Sequence, residues 1–112
     1  MVLQLHCQEP WFSYIKEGKK IVEGRKYTEK IRKLHPGDKI EFFNGSDRFI
    51  TEVVAIRVYP SIEEYLRKEC VDNVLPGINE MDEGLRIYRQ WSNDAEVDAW
   101  GFAAIQVALI AR

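Results

Sequence analysis

Two cysteines, Cys7 and Cys70, and two histidines, His6 and His35, are all the soft metal ligands that the 112 residues offer. A structural zinc site wants four such ligands at close spacing, so neither metal nor any other cofactor is expected. Two thiols do not make a disulfide framework, and both are expected free, in a reducing compartment. No apolar run approaches the ~20 residues that cross a bilayer, so no membrane partner is expected. The opening "MVLQLHCQEP" lacks a basic segment followed by a long apolar stretch, so no secretory leader is expected and the setting is cytoplasmic or nuclear. There is no Gly-rich phosphate loop. Ser13, Ser46, Ser61 and Ser92 lie in no nucleophile elbow. No repeat, low-complexity tract or linker divides the chain, so residues 1–112 are expected to form one domain, a monomer.

What is present is ordinary globular material, 46% hydrophobic and 30% charged, with 3 Trp, 5 Tyr and 5 Phe to fill one core. The formal net charge is -2, but it is unevenly spread. Between Lys16 and Lys39 nine basic residues face four acidic ones, a local balance of +5, while the remainder holds seven basic and fourteen acidic. This is the pattern of a basic face on an acidic body. An acidic carboxyl half that serves solubility alone gives the same count.

"VLQLHC" alternates and predicts a strand. Pro10 suits the first turn of a helix carried by Trp11, Tyr14 and Ile15, and Gly18 suits its end. "KIVEGRKY" predicts a second strand. Pro36-Gly37-Asp38 makes a turn, and Asn44-Gly45 joins Lys39–Asn44 to Arg48–Val58 as an antiparallel hairpin. Ser61 and Glu64 have the spacing of a capping box ahead of Ile62, Tyr65 and Leu66. "CVDNVLPGI" predicts a loop. Asn79 and Asp82 open a helix through Met81, Leu85 and Tyr88, and the polar "SNDAEVDA" predicts a break. "WGFAAIQVALI" is a nearly continuous apolar run, as in a strand paired inside a sheet. The order of elements gives an α+β domain on a mixed or antiparallel curved sheet, and closure toward a barrel would remove exposed edges.

"GKKIVEGR", residues 18–25, poses the functional question. Glu23 and Arg25 are two apart and share a face of a strand, whereas Lys20 is an odd step away. It joins them only if the chain turns just after Gly18, which a glycine at a helix end permits. A solvated surface pair explains the charges as well as a charged cleft does. In a cleft, Lys20 and Arg25 suit a phosphate or an anionic transition state. Glu23 stays ionised beside them, to orient the lysine, accept from a base or ribose hydroxyl, or act as a general base. Lys19, Lys26, Lys30, Arg32 and Lys33 would follow an RNA backbone. Trp11, Tyr14, Tyr27 and Trp100 are candidates to stack on an unpaired base or, equally, to pack the core.

Gly18, Lys20, Glu23 and Arg25 match the pattern G-x-K-x-x-E-x-R of the ASCH domain, a relative of the PUA domains of RNA-modifying enzymes. "PGDKIEF", "VLPG", "IYRQW" and "WGFAAIQV" also resemble that family, so the likeness covers nearly the whole chain. It implies a PUA-like mixed or antiparallel β-barrel of five to six strands with three helices packed around it. It also implies an RNA-binding cleft lined by the motif, with Gly18, Lys19, Lys20, Glu23, Arg25, Lys26 and Trp100 as ligand-binding candidates and RNA as the expected partner. Some members are enzymes. One branch deacetylates N4-acetylcytidine with a threonine where this chain has Glu23, and a carboxylate cannot simply replace that nucleophile. Ribonuclease activity attributed to other members would here use Lys20 and Glu23 as catalytic residues, without metal. The readings that remain are an RNA- or nucleotide-binding module, a metal-independent hydrolase of RNA or a modified nucleoside, and a protein-interaction domain.

Overall fold

The long hairpin organises the domain. β3 (Lys39–Asn44) and β4 (Asp47–Tyr59) pair antiparallel, with Phe42 opposite Phe49 and Asn44 opposite Asp47. Gly45, at φ 59°, makes the reversal that the Asn-Gly pair predicts. β5 (Phe102–Ala111) lies antiparallel on the other side of β4, β2 (Val22–Lys26) pairs antiparallel with β5, and β1 (Val2–His6) runs parallel to β3. The order is therefore β1-β3-β4-β5-β2, with β1 and β2 at the two edges. Register shifts at Ile50/Thr51 and Val53/Ala55 mark bulges, which bend a strand and raise its twist. The sheet curls into a half-barrel whose edges approach one another. The computed structural model describes residues 2–111.

Two apolar clusters sit on the two faces of this sheet. Inside the curl, Leu5, Phe12, Ile40, Phe42, Phe49, Val53 and Ile105 pack together. On the other face, Phe102 and Ala104 meet helices α3 (Ile62–Glu69) and α5 (Met81–Tyr88) through Tyr65, Leu66 and Tyr88. The strand β5 is covered on both sides: Phe102, Ala103, Ala104 and Ile105 are all 0–1% exposed. Its run of apolar residues follows from that double burial, and it pairs inside the sheet as expected. Each large buried side chain contributes about 1.5–3 kcal/mol.

Three helices were expected and the described residues form six. α1 (Trp11–Lys16), α3 and α5 are those anticipated. α2 (Glu29–Arg32) and α4 (Val71–Val74) are single turns, too short to display a 3.6-residue period. α4 falls in the segment expected as a loop, where Val74 and Leu75 are buried. α6 (Asp94–Trp100) forms where a break was expected. Asn93 accepts from the Glu96 amide at 2.8 Å while Glu96 accepts from the Asn93 amide at 3.3 Å, a complete capping box, and Val97 anchors the helix in the core. At α3 only half the predicted box is present. Ser61 accepts from the Glu64 amide at 3.0 Å, but the Glu64 carboxylate turns to Arg67 at 2.8 Å. α5 starts after Glu80, with no side-chain cap from Asn79 or Asp82.

Candidate functional site

An edge strand has one unpaired side, so side chains from both of its faces can reach around the same free edge. β2 uses this. Glu23 and Arg25 come from one face, Gly24 and Lys26 from the other, and all four line one pocket of about 290 Å³. The opposite wall comes from the end of β1, His6 and Cys7. Trp11 and Trp91 add aromatic surface, and Trp91 is 40% exposed. Apolar walls with a few convergent polar groups are the general form of a small-molecule site.

Lys20 reaches the pocket because the chain turns before it. Gly18 has φ 80°, and the Lys19 and Lys20 amides both donate to the Tyr14 carbonyl, at 2.9 and 3.1 Å. The lysine side chain is then driven inward, and the residue is 2% exposed. Its Nζ donates to the carbonyls of Val22 at 2.6 Å and Val74 at 2.5 Å, and faces Glu23 Oε1 at 3.4 Å. All three ammonium hydrogens are thereby used, and Lys20 ties β2 to α4. Burial pulls its pKa down, and the Glu23 charge opposes that pull.

Glu23 is also buried, though less deeply. Its Oε2 accepts from Arg25 Nε at 2.9 Å and lies 2.8 Å from Arg25 Nη2. Burial alone would raise its pKa, but the charges of Arg25 and then Lys20 outweigh burial and hold the carboxyl below its ordinary range. Arg25 Nη2 also donates to the His6 carbonyl at 2.6 Å, a bridge from β2 to β1 across the opening of the half-barrel. Arg25 Nη1 has no partner among the described residues. A carboxylate with one oxygen lightly engaged and a guanidinium with one free nitrogen therefore stand side by side in the pocket wall.

Gly24 shapes the floor. A Cβ there would lie 2.6 Å from Tyr65 Oη and 2.8 Å from Phe102 Cε2. The tyrosine cannot give way easily, because its hydroxyl is bonded to that of Tyr88 at 2.8 Å in a fully packed cluster. Burial pushes both phenols well above their usual range, so they stay neutral. Burial, and then the Glu23 charge, push the Cys7 thiol up to about 12, which removes it as a nucleophile at neutral pH.

Of the sequence candidates, the structure brings Lys20, Glu23, Arg25 and Lys26 to the pocket, with Lys26 Nζ 3.1 Å from Glu96 Oε2. Gly18, Lys19 and Trp100 are not on its wall. Gly18 supplies the turn. Lys19 is exposed, 3.4 Å from Glu17 and 5.8 Å from the centre of the Tyr14 ring. Trp100 stands at the end of α6 beside Arg32. Sequence reasoning missed Gly24, Trp91 and the Tyr65–Tyr88 pair. The only signal for them was "IYRQW", in which Tyr88 and Trp91 sit one helical turn apart. No group of three or more His, Cys, Asp or Glu side chains converges as a metal site among the described residues.

The family model described as ASCH domain matches residues 5–111. The crystal structure of hypothetical protein PH0355 is similar at 41% identity, with 98% of this chain and 100% of that one covered and a TM-score of 0.91. The solution structure of protein PF0455 from Pyrococcus furiosus is similar at 39% identity, with 98% of each chain covered and a TM-score of 0.81. No curated protein matches the chain.

Proposed function

The chain belongs to the ASCH domain family, and we propose that its pocket receives one unpaired base of a single-stranded RNA, or the equivalent free nucleotide. The observation that carries this reading is the Glu23–Arg25 pair set in the wall of an aromatic-lined pocket. At about 290 Å³ the pocket is at the low end of small-molecule sites, which run about 300–1,000 Å³. A base or nucleoside matches that size and a polymer does not. Trp11 and Trp91 offer faces for stacking. Ionised Glu23 is an acceptor for an N–H on the base edge, and Arg25 Nη1 is a donor for a carbonyl or phosphate oxygen. Lys20 has no hydrogen left for a ligand, so its role is to hold Glu23 ionised and in place. The basic stretch from Lys16 to Lys39 adds the sequence-independent attraction to phosphate.

The same electrostatics favour binding over hydrolysis. A general base works best with a pKa near the operating pH, and a carboxyl held below its ordinary range is a weak base. The test is an NMR titration of isotope-labelled protein with a short single-stranded RNA. Amide shifts should concentrate at residues 6–8, 23–26 and 91–92. Shifts spread over α3 and α5 instead, or none at all, would reject the pocket as the binding site.

A further inference from the structure

We infer that Trp100, Arg32 and Tyr27 form a second nucleotide contact, which takes the base adjoining the one in the pocket. The inference rests on the pocket being a nucleotide site. Arg32 Cζ lies 4.9 Å from the centre of the Tyr27 ring and 5.9 Å from that of Trp100, and Arg32 Nε donates to the Tyr27 carbonyl at 3.2 Å. Tyr27 is itself fixed, its amide bonded to the Gly101 carbonyl at 3.0 Å, next to Trp100. Two aromatic rings and a guanidinium are therefore assembled at one place. Trp100 remains 40% exposed and Arg32 is exposed, so part of this surface faces solvent. Unpaired bases stack on both aromatic rings and guanidinium planes.

Charge gathers at the same place. Arg48, Arg57, Arg67, Arg86 and Arg89 each lie within 3.5 Å of a carboxylate oxygen. By contrast, Lys30, Arg32 and Lys33, all exposed on or beside α2, have no carboxylate partner among the described residues, a state that only Lys39 on β3 shares there. The terminal nitrogens of Arg32 have no acceptor among them either. Cations left unpaired beside an exposed tryptophan are complementary to a phosphate next to a base. The position also fits. Glu23, Arg25 and Tyr27 alternate along one face of β2 and its continuation, and two strand residues advance about 6.6 Å, a separation that one nucleotide spans. A cation–π clasp that merely pins α2 to α6 would produce the same ring distances but needs no unpaired cations around it.

The inference is tested by comparing a mixed-sequence RNA tetranucleotide with mononucleotides, using the indole N–H signals of Trp11, Trp91 and Trp100. The tetranucleotide should move the Trp100 signal, and mononucleotides should move signals at the pocket and leave Trp100 in place. Trp100→Ala should weaken the tetranucleotide roughly tenfold, the scale of one lost stacking contact, and leave mononucleotide affinity unchanged. Arg32→Gln, at an exposed position, keeps the test valid if Trp100→Ala loosens α6. It should reduce the salt dependence of tetranucleotide binding by about one phosphate contact. If the tetranucleotide binds with Trp100 unmoved, or Trp100→Ala weakens both ligands alike, this inference is overturned while the pocket reading stands. If neither ligand moves any pocket signal, the pocket reading fails and takes this inference with it.

Discussion

Two carboxylate–arginine clusters in this domain use the same chemistry to opposite ends. At Glu69, Arg57 closes a fork on both oxygens at 2.6 and 2.9 Å, Tyr59 Oη adds a third bond at 2.5 Å, and Arg57 Nη1 is taken by Gln106 at 3.0 Å. The Arg57 hydrogen bonds hold the Glu69 carboxyl below its ordinary range, and every guanidinium nitrogen and both carboxylate oxygens are engaged. At Glu23, Arg25 contacts a single oxygen, the other oxygen has only Lys20 at 3.4 Å, and Arg25 Nη1 is free among the described residues. The first cluster staples β4 and β5 to the end of α3. The second is held rigid from behind by Lys20 and left incomplete toward the pocket. What separates the staple from the candidate site is how far its hydrogen-bonding capacity is saturated, since both contain the same ion pair.

The contrast can be broken from behind. Lys20→Met strips two buried carbonyls of their donor and leaves Glu23 with one cation, so urea unfolding should show a loss of about 3–5 kcal/mol. A loss below about 1 kcal/mol would mean that the lysine is dispensable to the open cluster. Next in size is Gly24→Ala. Its Cβ would stand 2.6 Å from Tyr65 Oη, and forcing the packed tyrosine aside should cost about 2 kcal/mol, read in the same unfolding experiment. A neutral outcome would show that the pocket floor can yield.

The smallest effect is on the acid side. The folded Glu23 carboxyl sits below its ordinary value of 4.5, so between the two values the unfolded chain binds more protons. Its contribution to stability is complete above pH 4.5 and is lost as the pH falls through the folded value. Glu23→Gln should flatten that acid limb of the stability curve, and an unchanged limb would show that the carboxylate is not stabilised by its two cations.

The sequence made the local elements legible and left the long-range ones hidden. The hairpin could be read because Asn44-Gly45 and the alternation around it are local signals. Lys20 could be placed with Glu23 and Arg25 because the odd spacing demanded a turn and Gly18 stood where one was possible. α6 was misread as a break. Its stability comes from the Asn93–Glu96 capping box and the burial of Val97, and a helix of only seven residues shows little periodicity. Gly24 could not be recognised, because what forbids a side chain there comes from Tyr65 and Phe102, some forty and eighty positions along the chain. Trp100 stands at the end of α6 beside Arg32 and off the pocket wall, a placement that no local signal in the sequence gives.

If the open cluster binds RNA and the closed one does not, the same change made in each will separate them. Single-stranded RNA affinity would be measured, at one salt concentration and on folded protein, for Arg25→Ala and Arg57→Ala. Each substitution removes one positive charge from a carboxylate pair on the same sheet. Arg25→Ala should weaken binding about tenfold or more, while Arg57→Ala should stay within about twofold of the unaltered protein. Equal losses from the two substitutions would show that RNA responds to overall charge, and would contradict a defined site at Glu23 and Arg25.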